Sequence, residues 1–249
     1  MNPLFSKLRN SSVSLVRQSF AAIFRAPLPW ILYSALAFGT LIGTQYASNS
    51  LAKSFQVDFA SLNIASPNFL TRFLPFELAS AMLISAITFW LSVGAYRMAP
   101  DEWRGGKPSI HSLISVTDAL PQILLFAVGA GFYNVFFWIA IRQFSSGWQA
   151  VEIDSLWWLI SAPPFACTLI ALADRQGTAK DCVLKSLSIF RKHPFVTYGT
   201  VLLLNLVSVS GFICFVGILV TYPVYGIGMT RMYTEYEPKE LAESAAVHT

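Results

Sequence analysis

The sequence predicts an all-α integral membrane protein, with six transmembrane helices arranged as three hairpins, each preceded by an amphipathic helix at the cytoplasmic surface. Three observations carry that expectation. Hydrophobic residues make up 55% of the 249 residues and charged residues only 12%, about half the roughly 25% of an ordinary soluble domain. The charges fall in short clusters separated by long tracts that have none. Ile-Phe-Arg followed closely by proline stands twice at the threshold of such a tract, in AIFRAPLP (Ala22 to Pro29) and SIFRKHPF (Ser188 to Phe195).

The tracts define the spans. Between Arg25 and Lys53 lie 27 residues free of Asp, Glu, Lys, Arg and His; Glu77 to Arg97 leaves 19, Asp118 to Arg142 leaves 23, Asp154 to Asp174 leaves 19, and His193 to Arg231 leaves 37. About 20 apolar residues cross a hydrocarbon core of roughly 30 Å, so each of the first four tracts suits one crossing. As a single helix the fifth would reach about 55 Å at ~1.5 Å per residue. It should therefore break in NLVSVSGF, Asn205 to Phe212, where Ser208, Ser210 and Gly211 supply turn chemistry. Five such tracts in one chain weigh against buried helices of a soluble core.

The elements follow in order. The first 28 residues hold no compact apolar stretch ending at a small-residue cleavage site, so they are expected to be retained. Within them, SVSLVRQSFAAIFR places Val13, Val16, Phe20 and Ile23 at three- and four-residue spacing, with Ser12 and Arg17 elsewhere. Such a stripe marks a helix with one apolar face, and Arg17 and Arg25 suit the anionic headgroups of the cytoplasmic boundary. Pro27 lacks an N–H and biases the residue before it away from helical geometry, so the chain should turn there into the membrane. The first span carries Gly39 and Gly43, a Gly-x-x-x-Gly pair expected to let helices of the bundle approach closely. Glu77, after Pro75, opens the second span, where the helix dipole favours an acid in the first turn.

The link WRGGKPS leads to a weaker surface helix with Ile110, Leu113 and Thr117 at helical spacing, then Pro121 at the third span. Asn134 in the third span and Asn205 in the fifth tract are the deepest strongly polar side chains, and an interhelical hydrogen bond would account for each. Asp174-Arg175 closes the fourth span as a local ion pair or loop anchor. After DRQGTAK, the segment AKDCVLKSLSIFRK aligns Val183, Leu187 and Phe190 on an apolar face and puts Lys180, Lys185 and Lys192 on the polar side. Those lysines, with Arg191, are expected at lipid headgroups, and Pro194 repeats the part of Pro27. Trp30, Trp148, Trp157, Trp158 and Tyr222 are expected at membrane interfaces. Residues 1–236 thus read as one transmembrane domain of three parallel units, 1–98, 99–174 and 175–236, followed by a mobile acidic tail over 237–249.

Orientation follows from Lys and Arg, which cytoplasmic loops retain. With both termini inside, the inner segments hold 14 of these residues and the outer loops only Lys53, Arg72 and Arg142. A multi-pass membrane protein with cytoplasmic N- and C-termini is expected.

Little points to catalysis. Cys167, Cys182 and Cys214 are odd in number and far apart, so buried free thiols are expected rather than a disulfide or zinc site. His111, His193 and His248 are too scattered for a metal centre, and no phosphate-binding loop, His-Glu-x-x-His or Gly-x-Ser-x-Gly is present. The net charge of +4 is accounted for by membrane-facing Lys and Arg, which leaves nucleic-acid binding without support. The surface helix ending at HPF, the link DRQG and the ending GILVTYPVYGIGMTRMYTEY resemble a broad group of bacterial six-span inner-membrane proteins of unknown function. That group includes the YciC-like proteins and the membrane domain fused to some glycerophosphodiester phosphodiesterases. The similarity is clearest over residues 174–236; it implies an integral inner-membrane protein and carries over no catalytic, cofactor or metal residue. The expected function is that of a non-enzymatic component that organises lipid or a protein partner, a second copy of the chain included, through its basic helices. The alternative is a small transporter or channel for an ion, lipid or hydrophobic solute, which would need a polar cavity lined by Asn134, Asn205 or Glu77.

Overall fold

The computed structural model describes residues 3–54, 73–103, 107–144, 160–174, 177–211 and 217–236. Among the described residues 92% are helical and none forms a strand. The helices are α1 (Pro3–Arg25), α2 (Pro27–Ser54), α3 (Leu74–Trp103), α4 (Ile110–Ile114), α5 (Leu120–Phe144), α6 (Thr168–Ala173), α7 (Ala179–Lys192), α8 (Pro194–Ser210) and α9 (Ile218–Tyr236), with 3-10 turns at Thr117–Ala119 and Pro163–Phe165. Pro27 and Pro194 are the first residues of α2 and α8, each after a one-residue break. Proline suits that place because its missing N–H would have no helical partner there.

Three helical runs are long and apolar enough to cross a membrane: Pro27–Ser50, Leu74–Ala99 and Ile110–Ile141, the last passing from α4 through a 3-10 turn into α5. The shorter apolar helices are Pro163–Ala173 and Pro194–Ser208. The break after α8 comes at Gly211, so Asn205 to Ser210 continues the helix. A Cβ on Gly211 would run into Thr221 Oγ1 and the backbone of Ile218, and Thr221 Oγ1 donates to the Ser208 carbonyl at 2.9 Å.

The core centres on α9, which packs against α8, α1, α2 and α3, while α3 packs in turn on α5, α4 and α6. Nearly all of α9 from Pro223 to Tyr233 is buried. Pro223 within it cannot donate to the carbonyl of Leu219. Ser34 of α2, fully buried, fills that gap: its Oγ lies 3.0 Å from the Leu219 oxygen and 3.1 Å from that of Trp30 in its own helix. A hydroxyl from one helix thus repairs the backbone of another.

Two surface helices differ from expectation in part. In α1 Ile23 is buried and Val16 and Phe20 pack against the core as expected, but Val13 is exposed, and Ser12, Leu15, Ser19 and Ala22 complete the buried stripe. The inward serines are satisfied, Ser19 by the Leu15 carbonyl at 2.8 Å and Ser12 by Thr200 of α8 at 3.3 Å. The second surface helix is only the five residues of α4, ended at Ser115.

Candidate functional site

The outer surface of the bundle is apolar along its long helices. Leu28, Leu32, Leu36 and Ile42 of α2, Leu124, Leu125, Phe132 and Phe136 of α5, and Phe195, Tyr198, Leu202 and Leu206 of α8 are exposed. In the most apolar stretches of the three long runs only 17%, 28% and 24% of residues are buried. Left in water, such a surface costs about 25 cal/mol per Å². Acyl chains remove that cost, and the pattern associates these helices with a membrane.

Five exposed cations lie on α1 and α7. Arg17 and Arg25 of α1 and Lys180, Arg191 and Lys192 of α7 are exposed, with Phe24, Leu28 and Leu184 exposed beside them. Lys185 departs from the expectation, being only 7% exposed. The inward face of α7 is Cys182, Lys185, Ser186 and Ile189, so helical phase carries Lys185 into the bundle, where its Nζ lies 5.3 Å from the centre of the Tyr233 ring. An aromatic face receives an ammonium there and the methylene stem packs against apolar neighbours. Lys185 is therefore no headgroup ligand.

Local sequence fixes where α7 begins. Gly177 adopts φ +104°, and Thr178 and Asp181 form a reciprocal cap. The Asp181 carboxylate accepts from the Thr178 hydroxyl at 2.6 Å and from its N–H at 2.9 Å, while the Thr178 oxygen accepts from Asp181 N–H. The bond from the Thr178 hydroxyl, then that from its N–H, holds the carboxyl below its ordinary range. Burial pushes the Cys182 thiol up.

One arginine gathers helix ends on this side. Arg97, near the end of α3, donates through Nε to the Ala173 carbonyl of α6 at 3.1 Å and through Nη1 to the Ser115 carbonyl at 2.6 Å. It also grips Asp118, just before α5, with two bonds of 2.7 and 2.9 Å. The ring of His193, just after α7, lies 4.6 Å from that of Tyr236 at the end of α9.

The three polar residues expected within the spans differ in burial and partners. Glu77 lies in the first turn of α3, as the helix dipole favours. Asn134 is half-buried on α5. Asn205 is exposed and donates to the Val201 carbonyl of its own helix at 3.0 Å; the expected interhelical bond is not formed because the side chain points away from the bundle. Gly39 and Gly43 also face outward, with nothing within 4 Å of an added Cβ. The close approaches fall instead at Gly131 against Met82 and Gly228 against Leu204.

A cleft of about 60 Å³ does open between α2 and α3, beside Tyr222 of α9. Tyr33, Thr40, Thr44, Thr88, Ser92 and Tyr222 bring hydroxyls to it, and Ala37, Leu41, Ile84, Ile87 and Leu91 supply apolar wall. None of Glu77, Asn134 and Asn205 lines it.

No protein-family model, curated protein or solved structure matches the chain. The geometry alone carries the functional reading.

Sequence reasoning missed the cleft. Its hydroxyls are spread over three helices, and the usable signal was the recurrence of Tyr33, Thr40 and Thr44 along one side of a span otherwise rich in leucine. Tyr222 packs its ring on Tyr33 at 5.7 Å and Phe38 at 5.2 Å, and Trp30 is fully buried. Cys167 and Cys182 are buried free thiols; Cys214, Arg175, Trp148, Trp157 and Trp158 lie outside the described residues. Among the described residues no three His, Cys, Asp or Glu side chains cluster as metal ligands.

Proposed function

We propose that the chain is a multi-pass protein of a bacterial inner membrane, non-catalytic, that holds anionic lipid headgroups through Arg17 and Arg25 of α1 and Lys180, Arg191 and Lys192 of α7. The reading includes six spans as three hairpins, cytoplasmic termini, and kinship with the six-span group that residues 174–236 resemble. The observation that carries it is the pairing of exposed cations with exposed Phe24, Leu28 and Leu184 on helices that lead directly into apolar segments. That pairing suits the headgroup layer, where an apolar face sinks to the acyl boundary and Lys or Arg meets anionic lipid. The outward stripe of α8, Phe195, Tyr198, Leu202 and Leu206, supports a lipid-facing place for that shorter helix as well. Transport is favoured less, since the cleft meets none of the three residues that would mark an ionic path.

Lipid retention tests the reading. Purified from a mixed bilayer, the protein should keep phosphatidylglycerol or cardiolipin over phosphatidylcholine. Changing Arg17, Arg25, Lys180, Arg191 and Lys192 to Gln should weaken that preference by about fivefold for each charge that reaches the surface, from roughly 1 kcal/mol apiece. An unchanged lipid profile would overturn the headgroup role. For orientation, Lys53→Cys and Lys192→Cys should be labelled from opposite faces of intact cells.

A further inference from the structure

We propose that α7 is a clasp on the short apolar segment Pro163–Ala173 and that anionic headgroups release it; the release rests on the headgroup reading above, the clasp does not. The segment is a broken helix. Pro163 and Pro164 have no N–H to give, and the chain passes from the 3-10 turn through Ala166 and Cys167 before α6 begins. Ser186 of α7, itself buried, bridges the break: its oxygen accepts from the Cys167 N–H at 3.1 Å and its hydroxyl donates to the Pro164 carbonyl at 2.8 Å. A second tie runs through Phe190, whose ring meets that of Tyr198 edge-on at 5.5 Å, and the Tyr198 hydroxyl donates to the Ile160 carbonyl at 2.8 Å. The helix packs chiefly on α6 and the turn before it. Were α7 to lift away, a backbone donor and a backbone acceptor of an apolar segment would lose their partner, which is costly. Surface helix and break should therefore open together.

What holds α7 down is largely polar. Its inward face is Cys182, Lys185, Ser186 and Ile189, with Ile189 the one large hydrocarbon group, and the Lys185 Nζ lies 5.3 Å from the centre of the Tyr233 ring. Elements with few buried apolar contacts belong to the low-stability end of a fold, from which moving parts are drawn. The outward face carries Lys180, Arg191 and Lys192. Docked, α7 thus offers these cations alone to headgroups; lifted, it adds Lys185, which exchanges an aromatic face for phosphate. A ligand shifts an equilibrium only by its differential affinity for the two states. Here the difference is one lysine, about fivefold in favour of the lifted state on an anionic surface, from roughly 1 kcal/mol per charge.

Cys167 and Cys182 are buried free thiols on the two sides of this contact, so their alkylation reads its opening. Full-length protein carrying Cys214→Ser is placed in nanodiscs and treated with N-ethylmaleimide, and the two thiols are followed separately by peptide mass spectrometry. Passing from phosphatidylcholine to phosphatidylglycerol should speed both about fivefold. Lys185→Met keeps the stem without the charge and should abolish that response to lipid, whatever its basal rates. Ser186→Ala should speed both thiols by a common factor in either lipid. Cys182 accelerating there without Cys167, or neither accelerating, would overturn the clasp. Equal rates in the two lipids without the Lys185 change, or a lipid response that survives it, would overturn the release, and the first of these needs no variant of α7 to fold. Failure of the headgroup reading is seen separately. If the Gln variants of the outer cations leave lipid retention unchanged, a common acceleration in Ser186→Ala still supports the clasp.

Discussion

Ser34 and Pro223 show how a single side chain can decide an interhelical contact. The Leu219 carbonyl loses its helical donor to Pro223, and Ser34 supplies one at 3.0 Å from a fully buried position. Ser34→Ala should therefore leave a buried acceptor unmet and lower stability by about 1–3 kcal/mol. In a Pro223→Ala background, where the helix can donate for itself, the same change should cost only a few tenths of that. Unfolding free energies in detergent micelles for the four members of this cycle check the coupling; equal costs in both backgrounds would show the serine to be a mere packing group. Neither residue was legible as a partner in the sequence, because the pairing joins positions 34 and 219 through the tertiary fold. Lys185 was misread for a related reason. Its charge suggested an outward place, but the phase of α7 and the Tyr233 ring bring it in. Gly39 and Gly43 teach the complementary lesson: small residues permit a close approach and do not cause one.

Helices and their ends were far more legible than their faces. Proline at the start of α2 and α8, glycine before α7 and the Thr178–Asp181 cap act through nearest neighbours, so a string of residues is enough to find them. The inward face of α1 depends on contrast between inside and outside. Ser12 and Ser19 sit on the inward face because their hydroxyls find partners in Thr200 and the Leu15 carbonyl, which spacing alone does not reveal, while Leu15 and Ile23 supply the apolar part of that face. The cap of α7 gives a prediction at this scale. Because hydrogen bonds hold the Asp181 carboxyl below its usual value of 3.8, the cap's contribution is complete above that value and is lost as pH falls through the lower, folded one. Amide protection in the first turn of α7 should accordingly stay constant from neutral pH to about pH 4 and drop below it. Asp181→Asn should lack the acid step while keeping part of the protection, since the Thr178 oxygen still accepts from N–H of residue 181.

For the whole molecule, composition announced the membrane, because 55% hydrophobic and 12% charged residues cannot clothe a soluble fold of this size. The way the helix ends are gathered was not readable, since Arg97 is separated by 18 residues from Ser115, 21 from Asp118 and 76 from Ala173. Its guanidinium ties α3, the turn before α5, and α6 into one side of the bundle. The contacts differ in kind. Asp118 is 44% exposed and the Arg97 side chain only 10%, so water and salt weaken the ion pair more than the carbonyl bonds. Asp118→Asn should then cost about 0.5–1 kcal/mol, as partly exposed pairs do, and the loss should shrink in high salt. Arg97→Leu should cost about 2–3 kcal/mol, because it also strips the Ser115 and Ala173 carbonyls of a charged donor, and most of that loss should survive high salt. Chemical unfolding of both variants in micelles, at low and high ionic strength, separates the two contributions. If they lose the same stability and respond alike to salt, the carbonyl bonds contribute nothing and the ion pair with Asp118 is all that Arg97 adds to the packing of α3 against α5 and α6.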